Sequence, residues 1–241
     1  MKLLLAANFF TSLAAFVLLI FALLVGVSEK SPFGELYWSQ VSVSGSSGSS
    51  GGTRWTNFGV CSFANGKNVN CTSLKFPYPY NTQYNYPNGI GVIDNSELRS
   101  KESQMKAMSR AAPILLAIGL IFAFFSLLCV LLACALPVRF IIGFSNFIVF
   151  LGFIVTAAGA SLLTYVHIFS VTTIKNDGVS TSTGSKAFGL LWASVAAYLI
   201  SIVLFSVTWI RRKTHKGYQK TGGDDRSDSH SEKTSKYSDG K

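Results

Sequence analysis

The strongest constraint on this chain is a set of four long segments that contain no Asp, Glu, Lys or Arg. They are residues 3–27, 113–136, 140–165 and 187–210, and all 21 basic and 11 acidic side chains of the 241-residue chain lie outside them. A helix needs about 20 apolar residues to cross the hydrocarbon core of a bilayer, so each segment is long enough to span it. The sequence therefore predicts an all-α membrane protein with a bundle of four transmembrane helices, and it excludes a soluble globular enzyme.

These segments divide the chain into helices, loops and a tail. The predicted order is helix 1, a long extracellular loop, helix 2, a cytosolic turn, helix 3, a short extracellular loop, helix 4 and a tail, over residues 1–27, 28–112, 113–136, 137–139, 140–168, 169–186, 187–210 and 211–241. The alternative interpretation of the first segment is a cleaved signal peptide. Its apolar stretch is longer than the ~7–15 residues of a signal sequence, which favours an uncleaved helix.

The flanking basic residues predict the orientation. A basic cluster follows the fourth segment, and Arg139 lies between the second and third segments; the cluster comprises Arg211, Arg212, Lys213 and Lys216. Short flanks rich in Lys and Arg stay in the cytosol, so both termini are expected there. The cluster also lies where it would face anionic lipids, for which phosphoinositides or sphingolipids are the expected partners, with ordinary flanking charge as the alternative. The net charge of +10 is spread over flanks and loops, so no nucleic-acid partner is expected.

Small residues recur at every fourth position in the last two segments. Such residues let helices approach closely in lipid, so two packing stripes are predicted. They are Gly152, Thr156 and Ala160, and Gly189, Ala193 and Ala197. Asn8 and Asn146 are expected to form hydrogen bonds between helices, and His167 is expected at the membrane interface. The absence of ionisable residues in mid-membrane disfavours a transporter with a charged central site.

The long loop contains two cysteines that are expected to form a disulfide. Cys61 and Cys71 flank the turn signal Asn65-Gly66, which predicts a hairpin with a three-residue tip at 65–67 and the cysteines directly opposite. A third strand is predicted at 36–43, joined through a flexible Ser/Gly linker at 44–52. The fold class is therefore a four-helix bundle with a small disulfide-linked β-sheet in the first extracellular loop. The cysteine spacing makes a metal site a weak alternative.

Other parts of the loop give less specific signals. The aromatic stretch 76–87 is predicted to lie over the sheet and the membrane surface, with binding of a partner or carbohydrate as the alternative. Asn70-Cys71-Thr72 is formally a glycosylation sequon, although its middle residue is a disulfide candidate. A helix is predicted from residue 95 to 110, with a mild kink at Pro113. In the second transmembrane segment, Cys129 and Cys134 are assigned to packing, with acylation as the alternative.

The loop motif resembles that of a known family. Its elements are Tyr37-Trp38-x-Gln40, Thr53-Arg54-Trp55-Thr56-x-x-Gly59-x-Cys61, Cys71-Thr72 and Tyr78-Pro79. They are similar to the fungal eisosome tetraspan family, which is grouped with the PalI pH-response proteins and is claudin-like. The resemblance implies that Cys61 and Cys71 form the family's outer disulfide, with Trp55 and Gly59 beside it. The Gly-Leu-Trp triplet of claudins is not reproduced, so paracellular sealing is not implied.

The resemblance also implies a location and a role. It implies a multi-pass protein of fungal plasma-membrane patches that supports cell-wall integrity, endocytosis, or the stress and sporulation response. It implies eisosome or cell-wall proteins as partners, self-association, and neither cofactor nor enzymatic activity. The alternatives are an accessory subunit of ambient-pH signalling, as in the PalI branch, and a claudin-like ion pore. Neither a phosphate-binding loop nor a metal-ligand cluster nor a nucleophile–base pair stands out in the sequence.

Overall fold

The computed structural model describes residues 2–44, 50–72, 74–81, 96–135 and 139–221. Five helices and five strands lie within these ranges, together with a short 3₁₀ helix at Phe33–Glu35. The helices are α1 (Lys2–Leu23), α2 (Ser96–Ser100), α3 (Glu102–Ala135), α4 (Arg139–Asn176) and α5 (Ser185–Thr221). The strands are β1 (Ser39–Ser44), β2 (Ser50–Trp55), β3 (Val60–Ala64), β4 (Lys67–Val69) and β5 (Ser180–Thr183).

The four long helices confirm the predicted membrane bundle. Helices α1, α3, α4 and α5 each contain a stretch that is long and apolar enough to cross a membrane. Helix α1 packs against α3 and α5, and α4 packs against the same two helices. Large apolar side chains such as Phe125, Phe147 and Val203 remain exposed on the bundle surface, where contact with lipid replaces contact with protein.

Two helices extend past the C-terminal ends of their charge-free segments. Helix α4 continues past residue 168 to Asn176, so it includes the start of the predicted second loop. Helix α5 continues to Thr221, so the first eleven residues of the predicted tail extend this helix. Arg, Lys and Gln are good helix formers, and extending an existing helix avoids the cost of a new nucleus. Residues 222–241 lie outside the described residues.

The helix predicted at 95–110 is interrupted. A turn at Lys101 separates α2 from α3, and α3 then runs through Pro113 without ending. The first residue of the predicted helix, residue 95, lies outside the described residues. Helix α3 nevertheless begins before the second apolar segment, as the sequence predicted.

The strands form one antiparallel sheet in the order β4-β3-β2-β1-β5. It contains the predicted disulfide between Cys61 and Cys71. Two parts of the sheet differ from expectation. The second loop contributes β5, which pairs with β1, and residues 50–52 of the expected linker pair with residues 42–44. The rest of the linker, 45–49, lies outside the described residues.

The hairpin register differs by one residue from the prediction. Asn65 and Gly66 have φ values of 50° and 77°, which is the backbone of a two-residue hairpin turn rather than a three-residue tip. Ala64 therefore pairs with Lys67, and continuing this register places Cys61 opposite residue 70. The strand ends at Val69, and the chain turns at Asn70, where φ is 49°. Cys71 then follows close enough to bond with Cys61.

The sheet lies at one end of the bundle, here called the sheet end. The C-terminal ends of α1 and α4 and the N-terminal ends of α3 and α5 meet there, because both loops that connect them contribute strands. A buried cluster joins the sheet to α2, α3 and α4, with Val41 and Trp55 from the strands and Leu98, Met105 and Val166 from the helices. The sheet is therefore packed on the helices rather than tethered to them.

Candidate functional site: the sheet and its seat on the helices

Asn57 connects the sheet to the end of the first helix. Its side-chain amide donates to the carbonyl oxygens of Ala22 and Leu23, at 2.8 and 2.9 Å, and its backbone N–H donates to Val25. The last carbonyl groups of a helix lack partners within the helix, so Asn57 caps α1 from a distant part of the chain. The indole Nε1 of Trp38 donates to Asn57 Oδ1 at 2.9 Å. Asn57 is 2% exposed, and the sequence analysis did not identify it.

The two motif tryptophans lie on the side of the sheet that faces the helices. Trp38 and Trp55 are both buried, and the backbone N–H of Trp38 donates to the carbonyl of Trp55. Trp38 contacts Phe188 of α5 edge to face, with ring centroids 5.2 Å apart. These residues form an aromatic layer between the sheet and the bundle, which explains why large rings occur at these two positions.

His167 belongs to the same layer. The sequence analysis placed it at the membrane interface, but its side chain is only 4% exposed. Its Nδ1 lies 2.8 Å from the hydroxyl oxygen of Ser39, and its ring stacks on Trp38. The outer end of α4 is therefore fixed to β1 through a buried hydrogen bond.

The segment after the disulfide passes beneath the sheet and docks on α3. The backbone N–H of Tyr80 donates to the Ser109 hydroxyl at 2.8 Å, and the Tyr80 ring packs against Trp55 and His167. Phe76 in the same segment is exposed. The prediction that the aromatic stretch covers the sheet is therefore incomplete, because Tyr80 is part of the core. Residues 82–87 of the stretch lie outside the described residues.

The turn between β2 and β3 explains the motif glycine. The Thr56 hydroxyl accepts a hydrogen bond from the Gly59 N–H, which closes a tight turn. A side chain at Gly59 would collide with the Thr72 hydroxyl. Gly26, just after α1, packs against Thr56 with a φ of 81°, a conformation and a close approach that only glycine accommodates easily.

Arg54 lies on the opposite face of the sheet from Trp55. Its guanidinium donates to Gln40 Oε1 at 2.8 Å, to the Gly66 carbonyl at 2.8 Å, and to Asn68 Oδ1 at 3.3 Å. It also lies over the Tyr37 ring, 4.2 Å from the centroid. The motif residues therefore form two groups: Trp38 and Trp55 face the helices, whereas Arg54 and Tyr37 cross-link the strands.

The two small-residue stripes behave differently. Gly152, Thr156 and Ala160 are buried between helices, and Thr156 packs on Gly119 of α3. On α5, Ala197 is buried, but Gly189 and Ala193 are exposed and Gly189 has no neighbour in packing distance. The packing prediction is therefore wrong for these two positions within a single chain. Residues four apart rotate by about 40° on a helix, so a long stripe drifts from one face to another.

Asn8 also departs from expectation. It is fully buried in the bundle, yet neither of its amide atoms has a hydrogen-bond partner among the described residues. The bundle's hydrogen bonds between helices come from other side chains. Ser201 donates to Thr11 of α1 at 2.9 Å, and Tyr198 donates to the Gly119 carbonyl at 2.6 Å.

Several predicted sites remain untested. Asn70 is exposed, as a glycosylated side chain requires, but its modification stays a prediction. Cys129 has a free thiol in α3. Arg211 is exposed on α5, and the helix continues through Arg212, Lys213 and Lys216, so the basic cluster extends the helix; its contact with lipid stays a prediction.

The site has the character of a rigid binding surface. Within the described ranges, no three His, Cys, Asp or Glu residues lie close enough together to form a candidate metal centre. What the sheet end offers is a set of strands held in place by a disulfide, an aromatic layer and a helix cap. Such an arrangement can present side chains and keep their positions fixed relative to the membrane helices.

Four membrane-crossing helices that carry a disulfide-linked extramembrane sheet define a claudin-like tetraspan membrane protein. Comparison with known proteins gives the family. The model of the SUR7/PalI family matches residues 4–204, and the chain belongs to this family.

Relatives from two yeasts agree with this assignment. The chain is 28% identical over 200 residues to Protein SUR7 of Candida albicans, a match that covers 82% of this chain and 71% of the relative. It is 24% identical over 201 residues to the uncharacterized plasma membrane protein YNL194C of Saccharomyces cerevisiae, covering 83% and 66%. Protein SUR7 of the same yeast is 25% identical over 204 residues, covering 84% and 66%. The chain thus spans about two thirds of the length of these relatives.

Proposed function

We propose that this chain is a structural organiser of the fungal plasma membrane. In this proposal it gathers with further copies and with eisosome or cell-wall proteins into stable patches, and it carries out no chemical reaction. The patches would support cell-wall integrity, endocytosis, or the stress and sporulation response. Support comes from the family and from a relative that is named a plasma membrane protein.

The observation that carries the proposal is the set of buried hydrogen bonds that fix the sheet on the helices. Asn57 joins α1 to Trp38, and His167 joins α4 to Ser39, through buried hydrogen bonds. A partner bound to the sheet would therefore hold the helices as well, because these hydrogen bonds connect the two parts directly. This is the property that a protein needs in order to connect material outside the membrane with an arrangement of helices inside it.

The proposal is tested by imaging a C-terminal fluorescent fusion in living yeast. The wild-type protein is expected to form plasma-membrane patches whose fluorescence recovers slowly after bleaching. Asn57→Ala is expected to weaken the contacts between the sheet and α1 and to disperse the patches. Asn176 is an exposed asparagine at the end of α4, and Asn176→Ala is expected to leave the patches unchanged. A wild-type signal that diffuses freely or stays in internal membranes contradicts the proposal.

A second candidate role is that of an accessory subunit of ambient-pH signalling, which the resemblance to the PalI branch of this family implies. A deletion strain that fails to grow at alkaline pH while its patches and cell wall stay normal would favour that role. An ion pore is the third role, and conductance of liposomes that contain only this protein would favour it. Normal alkaline growth and silent liposomes, together with immobile patches, are the results expected here.

A further inference from the structure

A polar cleft at the sheet end takes no part in the contacts that hold the sheet against the helices. It has a volume of about 200 Å³, and Glu35, Tyr37, Arg54, Lys186 and the first residues of α5 line it. Pockets for drug-sized ligands are roughly 300–1,000 Å³. The cleft therefore suits one small polar group rather than a large ligand.

Arg54 brings a buried positive charge to this cleft. The residue is 5% exposed, and its hydrogen-bond partners are the side-chain amides of Gln40 and Asn68, the Gly66 carbonyl and the Tyr37 side chain, none of which is a carboxylate. Among the described residues, no carboxylate forms an ion pair with it. Burial lowers the pKa of the Arg54 guanidinium from its usual value, as expected for a charge without a counter-ion. A buried cation is normally paired, and the described residues supply no acidic partner for Arg54.

The rest of the cleft does not supply that partner. Its only acid among the described residues, Glu35, already pairs with Lys186, whose Nζ lies 3.0 Å from the carboxylate. Lys186 and Lys67 both lower the pKa of Glu35, Lys186 more strongly through a hydrogen bond and its charge. In the lining, Arg54 and Lys186 therefore outweigh one carboxylate, and the charge of Lys67 also acts on that carboxylate. The cleft also contains the N-terminus of α5, whose free N–H groups and dipole favour an anion.

We propose that this cleft binds a phosphate group, with Arg54 as its main anchor and Lys186 at its rim. Helix α5 enters its membrane-crossing stretch at Ser185, so the cleft lies at the level of lipid headgroups. A lipid phosphate reaches it from the membrane, and dissolved phosphate reaches it from the solvent. The site is distinct from the basic cluster at 211–216, which lies at the opposite end of α5, and it does not depend on the proposed role in patches.

The test uses the full chain in uncharged detergent micelles, with thermal unfolding followed by tryptophan fluorescence. Inorganic phosphate is expected to raise the unfolding temperature in a saturable manner, and sodium chloride at the same ionic strength is not. A second arm compares nanodiscs of phosphatidylcholine with nanodiscs that also contain phosphatidic acid. Stabilisation by phosphatidic acid alone identifies a lipid headgroup as the ligand, and stabilisation by dissolved phosphate in both membranes identifies the free ion. No effect in either arm overturns the proposal.

Three variants separate this site from general surface charge. Lys186→Gln is expected to weaken the apparent affinity about threefold, because an exposed charge contributes little. Glu35→Gln removes the carboxylate and is expected to tighten binding by a similar factor. Lys175→Gln makes the same charge change as Lys186→Gln at an exposed position outside the cleft, and no effect is expected. Equal weakening by Lys175→Gln and Lys186→Gln, or weakening by Glu35→Gln, overturns the proposal.

Discussion

The sheet end and the helix bundle are held together in different ways. In the sheet end, each strand has a fixed partner, and directional groups such as Asn57 and the disulfide set the geometry. In the bundle, small residues let helices approach, and Gly152 contacts Tyr198 and Phe122 across two interfaces. The two buried asparagines show the contrast best. Asn57 has a partner for each amide atom, whereas Asn8 has none among the described residues.

This contrast has a physical cause. Water competes for hydrogen bonds at the sheet end, so a polar group is buried there only when several partners replace water. In lipid, a hydrogen bond between helices contributes only about 0.6–2 kcal/mol, because the unfolded state in the membrane also finds partners, so one side chain without a partner is tolerated at moderate cost. Substitutions of the two asparagines should therefore have opposite effects on stability.

The largest effect is expected for Asn57→Ala. The variant leaves the Trp38 indole and two α1 carbonyl groups without partners in a buried site, and each unsatisfied group costs about 1–3 kcal/mol. Allowing for partial relaxation, we expect a loss of about 3–5 kcal/mol in the free energy of unfolding. The measurement is equilibrium unfolding in micelles, with tryptophan fluorescence as the signal.

The exposed Asn176→Ala is the matched control and should change stability by no more than about 0.5 kcal/mol. If Asn57→Ala costs less than 1 kcal/mol, the helix cap is not what joins the sheet to α1. The comparison between the two regions would then lose its main support.

A smaller effect of opposite sign is expected for Asn8→Leu. Leucine has nearly the same shape and has no polar atoms, so it removes a buried amide that lacks partners. Removing an unsatisfied polar group gains about 1–3 kcal/mol, and we expect stabilisation near the lower end of this range because leucine fits imperfectly. Unfolding under the same conditions as for Asn57→Ala checks the sign. Destabilisation would show that Asn8 has a partner in the membrane, such as another copy of the chain.

Features that depend on nearby residues could be predicted from the sequence, whereas features that depend on the rest of the fold could not. The four apolar segments, the turn at Asn65-Gly66 and the cysteine pair are all local patterns. Residues 180–183, in contrast, are Ser and Thr without an apolar alternation, so they join β1 only because the helices bring them beside it. Asn57 lies between motif residues, but only the position of α1 gives it a capping role.

The two small-residue stripes show the same dependence on the rest of the fold. Gly152 and Gly189 occur in equally regular patterns of small residues, but the side of the helix that faces its neighbours decides which one packs. On α5 the buried face follows Leu191, Tyr198 and Phe205, and these large residues indicate the interface better than the small ones do. Their spacing of seven residues is visible in the sequence.

Alanine in place of the stripe glycines Gly152 and Gly189 is expected to have opposite effects on stability. Alanine in place of a helical glycine gains about 0.5–1 kcal/mol from backbone entropy. At Gly189 the new methyl group meets no atom, so we expect Gly189→Ala to stabilise the chain by this amount. At Gly152 it would lie 2.8 Å from a Tyr198 ring carbon. Crowding of this kind costs about 1–3 kcal/mol, so Gly152→Ala is expected to destabilise by about 1 kcal/mol.

Both glycine variants are compared in unfolding experiments on the same preparation. Equal gains at the two positions would mean that the α3–α4–α5 interface is loose enough to accept a methyl group. Equal losses would mean that Gly189 packs against something in the membrane, and an accompanying change in oligomeric state would identify a second copy as that neighbour.

The smallest effect is expected from acid, and it arises at the sheet end. Lys186 lowers the pKa of the Glu35 carboxyl below its usual 4.5, mainly through their hydrogen bond. A group with a lowered pKa stabilises the folded state above its unfolded pKa, and this contribution is lost as the pH falls through the folded value. Glu35→Gln should therefore be less stable than the wild type at pH 7, and the difference should shrink as the pH falls below about 4.5 and vanish once the pH is below the lowered pKa of Glu35. The pair is exposed, so salt should reduce the difference as well. In the Lys186→Gln background, Glu35→Gln should have little effect at either pH. A large difference that persists there would assign the effect to another partner of Glu35, first Ser31, whose hydroxyl donates to the carboxylate, and then Lys67.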